Sequence, residues 1–383
     1  AQRLHGAITA SSPDRSQGMI CRFLASICVI TGLAAGNAQA DTLLFDSREV
    51  LHLSIPVDFK TLCRPREDPD CSYTATVLEY IDEHGAAQSL PVEVKIRGGW
   101  RSLTRNCSVP LLFVRFDSET TTDTPFDGQS MLPLTTHCGQ GLSLEAAKSR
   151  VNPARWEQYL LREYLAHLVY NEITDLSIRA RLVRMTYPNP RKPSRKIHAY
   201  AFFTEHFESV AERNGSEVLD RHSFDSGKTD LHAANRVALF QYMIGNTDWS
   251  IVRERNVALL LGEDGYQRPL PFDFDMSGLV NAHYAGPAPG LPIDDVTERY
   301  FLGFCDPDAD WEQLFGEFLN HQQEILALTG AIPDLDKNSA RSSRRFLVKF
   351  FETLQYEPLR TGQVIEHCQP WPPGPDDHTS PRD

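Results

Sequence analysis

Two stretches of the chain bring together residue types from which a reaction centre can be made. GNTDWSIVRERNVALL, residues 245–260, carries Asp248 and Asn256, and PFDFDMSG, residues 271–278, carries Asp273 and Asp275. Carboxylates and an amide are hard oxygen donors. They suit Mg²⁺ or Mn²⁺, which take one or two carboxylates and complete their shell with phosphate oxygens and water. With no cation assigned to each carboxylate, such a cluster is unstable when empty, because like charges repel and desolvation penalises each one. The apolar neighbours Trp249, Val257, Phe272 and Phe274 would hold the carboxylates against a packed wall. The bland alternative is a surface turn in which Asp and Asn cap a helix and a hairpin. The residues favour a site for a divalent metal and a phosphorylated ligand.

The elements that must position these groups can be read around them. Leu231, Ala234, Val237, Ala238, Phe240, Gln241 and Ile244 recur at helical spacing, so a helix leads into the loop holding Asp248. NVALLLG and PLPFDFD read as strands joined by the turn signal EDG. As a hairpin they bring Asn256, at the start of one, to Asp273 and Asp275, at the end of the other, and Gly278 permits a sharp turn beyond. Upstream, VLHLSIPV, YTATVLEYI, LPVEVKIRG, PLLFVRF and MLPLTTH read as antiparallel strands. The period changes at Asn152-Pro153, a helix start before ARWEQYLLREYLAHLVYNEI. Two more strands, ARLVRMTY and IHAYAFFTE, flank PNPRKPSRK, whose four cations read as a solvated hairpin tip, with docking of an acidic partner as the second reading. Residues 309–329 and 337–356 read as helices, and the Pro-rich end as disordered.

The expected organisation is an upstream segment and signal peptide over 1–40, a β-rich N-terminal lobe over 41–150, a helix plus hairpin over 151–229, a mainly helical lobe over 230–366 and a tail over 367–383. Arg22, the apolar run Phe23–Ala35 and Ala38-Gln39-Ala40 follow Met19 in the order of a secretory signal, with cleavage after Ala40. The run is too short to span a bilayer, and no later segment reads as transmembrane. The expected location is therefore the periplasm or the cell exterior. Six cysteines follow the signal, an even count that suggests disulfides in an oxidising compartment. Closeness in sequence favours Cys63–Cys71, Cys107–Cys138 and Cys305–Cys368. A net charge of −13 argues against sequence-independent binding to nucleic acid. No GxSxG or HExxH run is present, so serine-hydrolase and zinc-protease readings fall.

The order Asp248, Asn256, then a strand ending in Asp273 and Asp275, resembles the catalytic half of protein-kinase-like folds, in particular the atypical kinases of the CotH and HipA types. VKIRGGWRS followed by LLFVRF is similar to the RG-loop and next strand of the CotH type, so the likeness spans roughly residues 88–280. It implies an α+β, two-lobed protein-kinase-like fold. It also implies that Asp248 acts on an acceptor hydroxyl, that Asn256 and Asp273 hold a metal bound to the nucleotide, and that Asp275 is a second metal candidate. The turn at Gly98-Gly99 would leave backbone N–H groups for phosphate, flanked by Arg97 and Arg101. Lys95 and Arg115 compete as the phosphate-contacting cation, Glu163 would pair with either, and Glu205 would lie near an adenine. The implied cofactors are Mg²⁺ or Mn²⁺ with ATP or another nucleotide. The implied partner is an acceptor, a protein in preference to a small molecule.

Two other readings stand beside this one. Asn256 follows Asp248 by eight residues and no GxGxxG run is present, features that suit a catalytically inactive kinase-like binding protein. Asp273-x-Asp275 also fits the DxD metal pair of glycosyl or nucleotidyl transferases, which predicts a parallel sheet.

Overall fold

Alternation of apolar and polar residues dominates the first part of the chain and produces a curved sheet. The structure, a computed structural model, describes residues 43–372 except 66–67, 69, 83, 140–151 and 307–308. Strands β1 (Leu51–Ser54), β2 (Thr74–Ile81), β3 (Ala87–Ile96), β4 (Leu112–Phe116), β5 (Met131–Thr136), β6 (Ala180–Asn189) and β7 (Lys192–Thr204) close into a barrel in the order β1-β2-β3-β4-β5-β7-β6. Neighbours pair antiparallel except β1 and β6, which run parallel with Leu51 opposite Val183 and Ser54 opposite Thr186. In β3, Leu90, Val92, Val94 and Ile96 point inward while Glu93 and Lys95 do not. With Leu53, Val114, Leu134, Met185 and Phe203 they fill the barrel.

Helices cover one side of the barrel. A short α1 (Ser118–Thr121) follows β4, and α2 (Pro153–Ile173) lies between β5 and β6. As expected, α2 starts at Asn152, whose side chain accepts from the Ala154 N–H. Beyond β7 come α3 (Phe207–Arg213), β8 (Ser216–Val218) and α4 (Leu231–Ile244). Then β9 (Val257–Gly262) and β10 (Gln267–Pro271) form the expected hairpin, which β8 extends into an antiparallel sheet. Helices α5 (Trp311–Leu319), α6 (Gln322–Ala331), α7 (Lys337–Gln355) and α8 (Glu357–Gln363) follow. The single helix expected over 309–329 is two helices, broken at Asn320 and His321.

The expected two-lobed protein-kinase-like fold, with a mainly helical C-terminal lobe, is overturned by the closed barrel. Residues 180–204, assigned to a connecting region, supply two of its seven strands. The reason is that both faces of the β6–β7 hairpin are apolar. Val183, Met185, Ala201 and Phe203 face the barrel interior. Ala180, Leu182, Tyr200 and Phe202 join Leu161, Leu165, Phe240, Phe315 and Phe350 in a second core shared with the helices. The described residues fall in one compact unit in which helices and strands are mixed.

All three expected disulfides are present, Cys63–Cys71, Cys107–Cys138 and Cys305–Cys368, with Cα separations of 5.4, 4.8 and 5.0 Å. The last one also corrects the reading of the tail. Gln369–Pro370, here β12, pairs with Phe304–Cys305, β11, and Trp371 packs on Phe304. Disulfides fit an exported protein. No helix among the described residues is long and apolar enough to cross a membrane. The signal segment, its cleavage site at Ala40 and residues 373–383 lie outside the described residues.

Candidate functional site

Three loops supply the side chains in question. Helix α4 ends at Gly245, which adopts φ 66° and donates to the carbonyls of the last turn, so the chain reverses and Asp248 follows in the loop. The β9–β10 pairing extends one step past Pro271, where the Phe272 N–H donates to Asn256 O at 3.0 Å. Asp273 and Asp275 therefore lie just beyond the strand rather than at its end. Asn256 and Asp273 both take left-handed backbone, φ 51° and 62°. That conformation costs non-glycine residues order-of-magnitude ~1–3 kcal/mol and is concentrated at functional sites. Gly278 is not a left-handed turn residue. It is glycine because a Cβ there would collide with the Val296 carbonyl oxygen.

Asp248, Asn256, Asp273 and Asp275 line one cleft of about 1270 Å³, as the sequence led us to expect. Asn256 spends both donors on Asp248, at 2.7 Å from its carbonyl and 3.1 Å from Oδ2, which leaves the amide oxygen as the group it can offer a ligand. Arg255 pairs with the other oxygen, Asp248 Oδ1, at 2.5 Å. Burial raises the Asp248 carboxyl above its usual range, Arg255 opposes that, and Asp273 adds to it. A desolvated carboxylate with a raised pKa is better able to accept a proton than an exposed one.

The expectation of unneutralised carboxylates fails. Arg101 donates to both oxygens of Glu163, at 3.2 and 3.3 Å, to Asp273 Oδ1, and lies 3.5 Å from Asp275 Oδ2. Burial alone would lower the Arg101 pKa, but the carboxylates of Asp273, Asp275 and Glu163 hold it well above the ordinary value. Burial pushes Asp275 up to about 7 against the pull of Arg101, and Asp273 and Glu163 push it further. Burial likewise raises Glu163. Tyr284, which no sequence signal marked, donates its hydroxyl to Asp275 at 3.1 Å. The cluster is thus stable without a metal, and among the described residues no three His, Cys, Asp or Glu side chains gather to hold one.

The turn that carries Arg101 is braced at both ends. Arg64, next to Cys63, donates to the Ser102 carbonyl, and Asn106, next to Cys107, donates to the Trp100 carbonyl at 2.8 Å. Gly99 has φ 99° and ψ −171°, a conformation only glycine adopts readily. Among the described residues the N–H groups of Gly98 and Gly99 have no acceptor, and both glycines line the cleft.

The other candidates separate. Arg97 lines a smaller adjoining cavity of about 270 Å³ together with Glu163 and Glu205. Glu205 accepts from the Arg179 N–H at 2.7 Å and pairs with Arg213 at 2.9 Å, so it is fixed in place. Lys95 and Arg115 are not brought to the cleft. Both lie over the Tyr73 ring on the barrel exterior, and Arg115 pairs with Glu93. Glu163 pairs with Arg101 rather than with either of them. No protein-family model and no curated protein sequence matches this chain.

Proposed function

We propose that the cleft binds a phosphorylated ligand, in company with Mg²⁺ or Mn²⁺, and transfers its phosphoryl group to an acceptor hydroxyl. The observation that carries this reading is Asp248. Its carboxylate is desolvated, raised in pKa, fixed by Asn256 and Arg255, and lines the cleft beside Asp273. In the proposed step the acceptor O–H loses its proton to Asp248, the oxygen bonds to phosphorus, and the bond from phosphorus to the leaving oxygen breaks. The free N–H groups of Gly98 and Gly99 suit phosphate oxygens.

The donor set fits a divalent cation of the Mg²⁺ kind only with help from the ligand. Asn256 Oδ1 and the Asp273 carboxylate would hold it, and phosphate oxygens and water would supply the remaining positions. When bound, such an ion offsets charge on the transferred group. The smaller cavity, with Phe113, Phe207 and Phe272 among its walls, suits the ring of a nucleotide donor beside Glu205. Export after cleavage near Ala40, to the periplasm or cell exterior, belongs to the same reading.

The test is transfer of label from γ-labelled ATP to a mixed pool of hydroxyl acceptors. Asp248→Asn should lower the rate by about 10²–10⁴-fold. Equal rates in the two proteins would remove Asp248 from the chemistry. The DxD transferase reading predicts a parallel sheet, whereas the strands that lead to Asp273 form an antiparallel sheet. An inactive binding protein is the outcome if no transfer occurs.

A further inference from the structure

The cations of the cleft divide into two kinds. Arg101 is buried among three carboxylates and Arg255 is paired with Asp248. Arg221 and Arg253 also line the cleft, yet both are exposed, and among the described residues neither guanidinium has a hydrogen-bond or ion-pair partner. The lining as a whole is balanced, with Arg101, Arg221, Arg253 and Arg255 facing Asp220, Asp248, Glu254, Asp273 and Asp275, and what singles out Arg221 and Arg253 is that their donors are not already engaged. The neighbouring Asp220 lines the same wall and pairs with neither of them.

Their placement is held by structure. Arg221 and Arg253 sit on different loops, and Glu254 ties the two together. Its buried carboxylate accepts from three successive backbone N–H groups, those of His222 at 2.6 Å, Ser223 at 2.7 Å and Phe224 at 3.0 Å. Glu254 itself takes φ 49°, and its backbone N–H is bonded to Ile251 O at 3.0 Å. The clamp keeps the flanking arginines on a common wall, beside the loop that starts at Asp248. At about 1270 Å³ the cleft also exceeds the roughly 300–1,000 Å³ of ordinary small-molecule sites, which leaves room for a second substrate.

We propose that Arg221 and Arg253 form the acceptor subsite of this cleft, and that the acceptor is a peptide segment with acidic residues beside its hydroxyl. The assignment rests on the phosphoryl-transfer reading for the word acceptor, but its physical content is a binding preference. Arginine forks recognise carboxylates by paired hydrogen bonds, and a guanidinium with no internal partner has all its donors available.

The probe is a pair of fluorescein-labelled decapeptides, one with a central serine among glutamates and one with the same serine among lysines. Anisotropy at low salt on the full chain should show the glutamate peptide binding at least tenfold tighter. The double charge reversal R221E/R253E should invert that order, and R221A/R253A should abolish the preference. Both sites are exposed, so melting should be unchanged; if the charge reversal unfolds the protein, the alanine pair decides. Equal binding of both peptides to the wild type, binding of neither, or an unaltered preference in the folded alanine variant would overturn the proposal. A preference for the lysine peptide would also do so. Asp248→Asn should keep the preference while losing transfer, so failure of the chemistry and failure of this subsite give different results.

Discussion

Inside the barrel, Leu53, Val94, Val114, Leu132 and Leu134 are buried in an apolar cluster, whereas at the cleft Arg101, Glu163 and Asp275 are buried as ionisable groups against one another. The two regions are both nearly inaccessible to water, and they obey different energetics. A barrel residue contributes its own transfer free energy, roughly 1.5–3 kcal/mol for a large aliphatic side chain, nearly independent of which neighbour provides the contact. A member of the ionic knot contributes almost nothing by itself, because its desolvation offsets its pairing, but its removal strands the others. The barrel is therefore a scaffold tolerant of apolar exchange, and the knot holds its charges in fixed positions at the wall of the cleft.

The sharpest way to break this contrast is Arg101→Met. It leaves Glu163 and Asp275 buried, and the partly exposed Asp273 beside them, without their cation, and we expect a loss of about 3–5 kcal/mol in denaturant unfolding. Arg101→Lys should recover little, since one ammonium cannot span three carboxylates as the guanidinium does. Leu134→Ala in the barrel should cost about 2–5 kcal/mol by cavity formation, while Leu134→Met should cost under about 1.5 kcal/mol. If the polar and apolar substitutions were equally tolerated at both places, the contrast would be empty.

A pH series sharpens it further. Asp275 has its carboxyl raised to about 7 in the folded protein, against about 3.9 for an unperturbed Asp. Between those values the folded state holds a proton that the unfolded state has released, so stability should fall as pH rises from about 4 to about 7. The raised pKa values of Glu163 and Asp248 act in the same direction. Asp275→Asn should flatten this slope in thermal melts, and an unchanged slope would show that Asp275 does not titrate in the knot. The smallest effect is expected at Arg115→Ala on the barrel exterior. Its pair with Glu93 is exposed, so we expect a change within about 1 kcal/mol and no change in ligand binding.

Local patterns were legible in the sequence and long-range partners were not. The strand segments, the Asn152 cap, the β9–β10 hairpin and the nearness of Asn256 to Asp273 follow from period, capping and turn signals within short windows. Closure of the barrel depends on β1 lying parallel to β6, a pairing of Leu51 with Val183 that no alternation announces. The likeness to a two-lobed fold failed there, because a hairpin apolar on both faces does not reveal what it is buried between. Arg101 and Asp273 are 172 residues apart, and nothing local to either names the other. Arg115 matched the strand pattern of a phosphate-contacting cation, but the two-residue period of β4 turns it outward, with Val114 and Phe116 pointing in. Arg255 is a different kind of miss. It stands inside the same stretch as Asp248, next to Asn256, and its charge alone could have marked it as the carboxylate's partner. Arg221 and Arg253 gave no signal until the fold put them on one wall.

The central claim is that Asn256 and Asp273 present oxygen donors to a cation that arrives with a phosphorylated ligand, even though Arg101 already satisfies one oxygen of Asp273. Calorimetric titration of Mg²⁺–ATP into the wild type and into Asp273→Asn addresses it directly. The account predicts binding to the wild type that requires the metal, and at least a tenfold weaker affinity in the variant with its fold intact. Metal-independent binding of equal strength in both proteins, or no binding to the wild type at all, would contradict it.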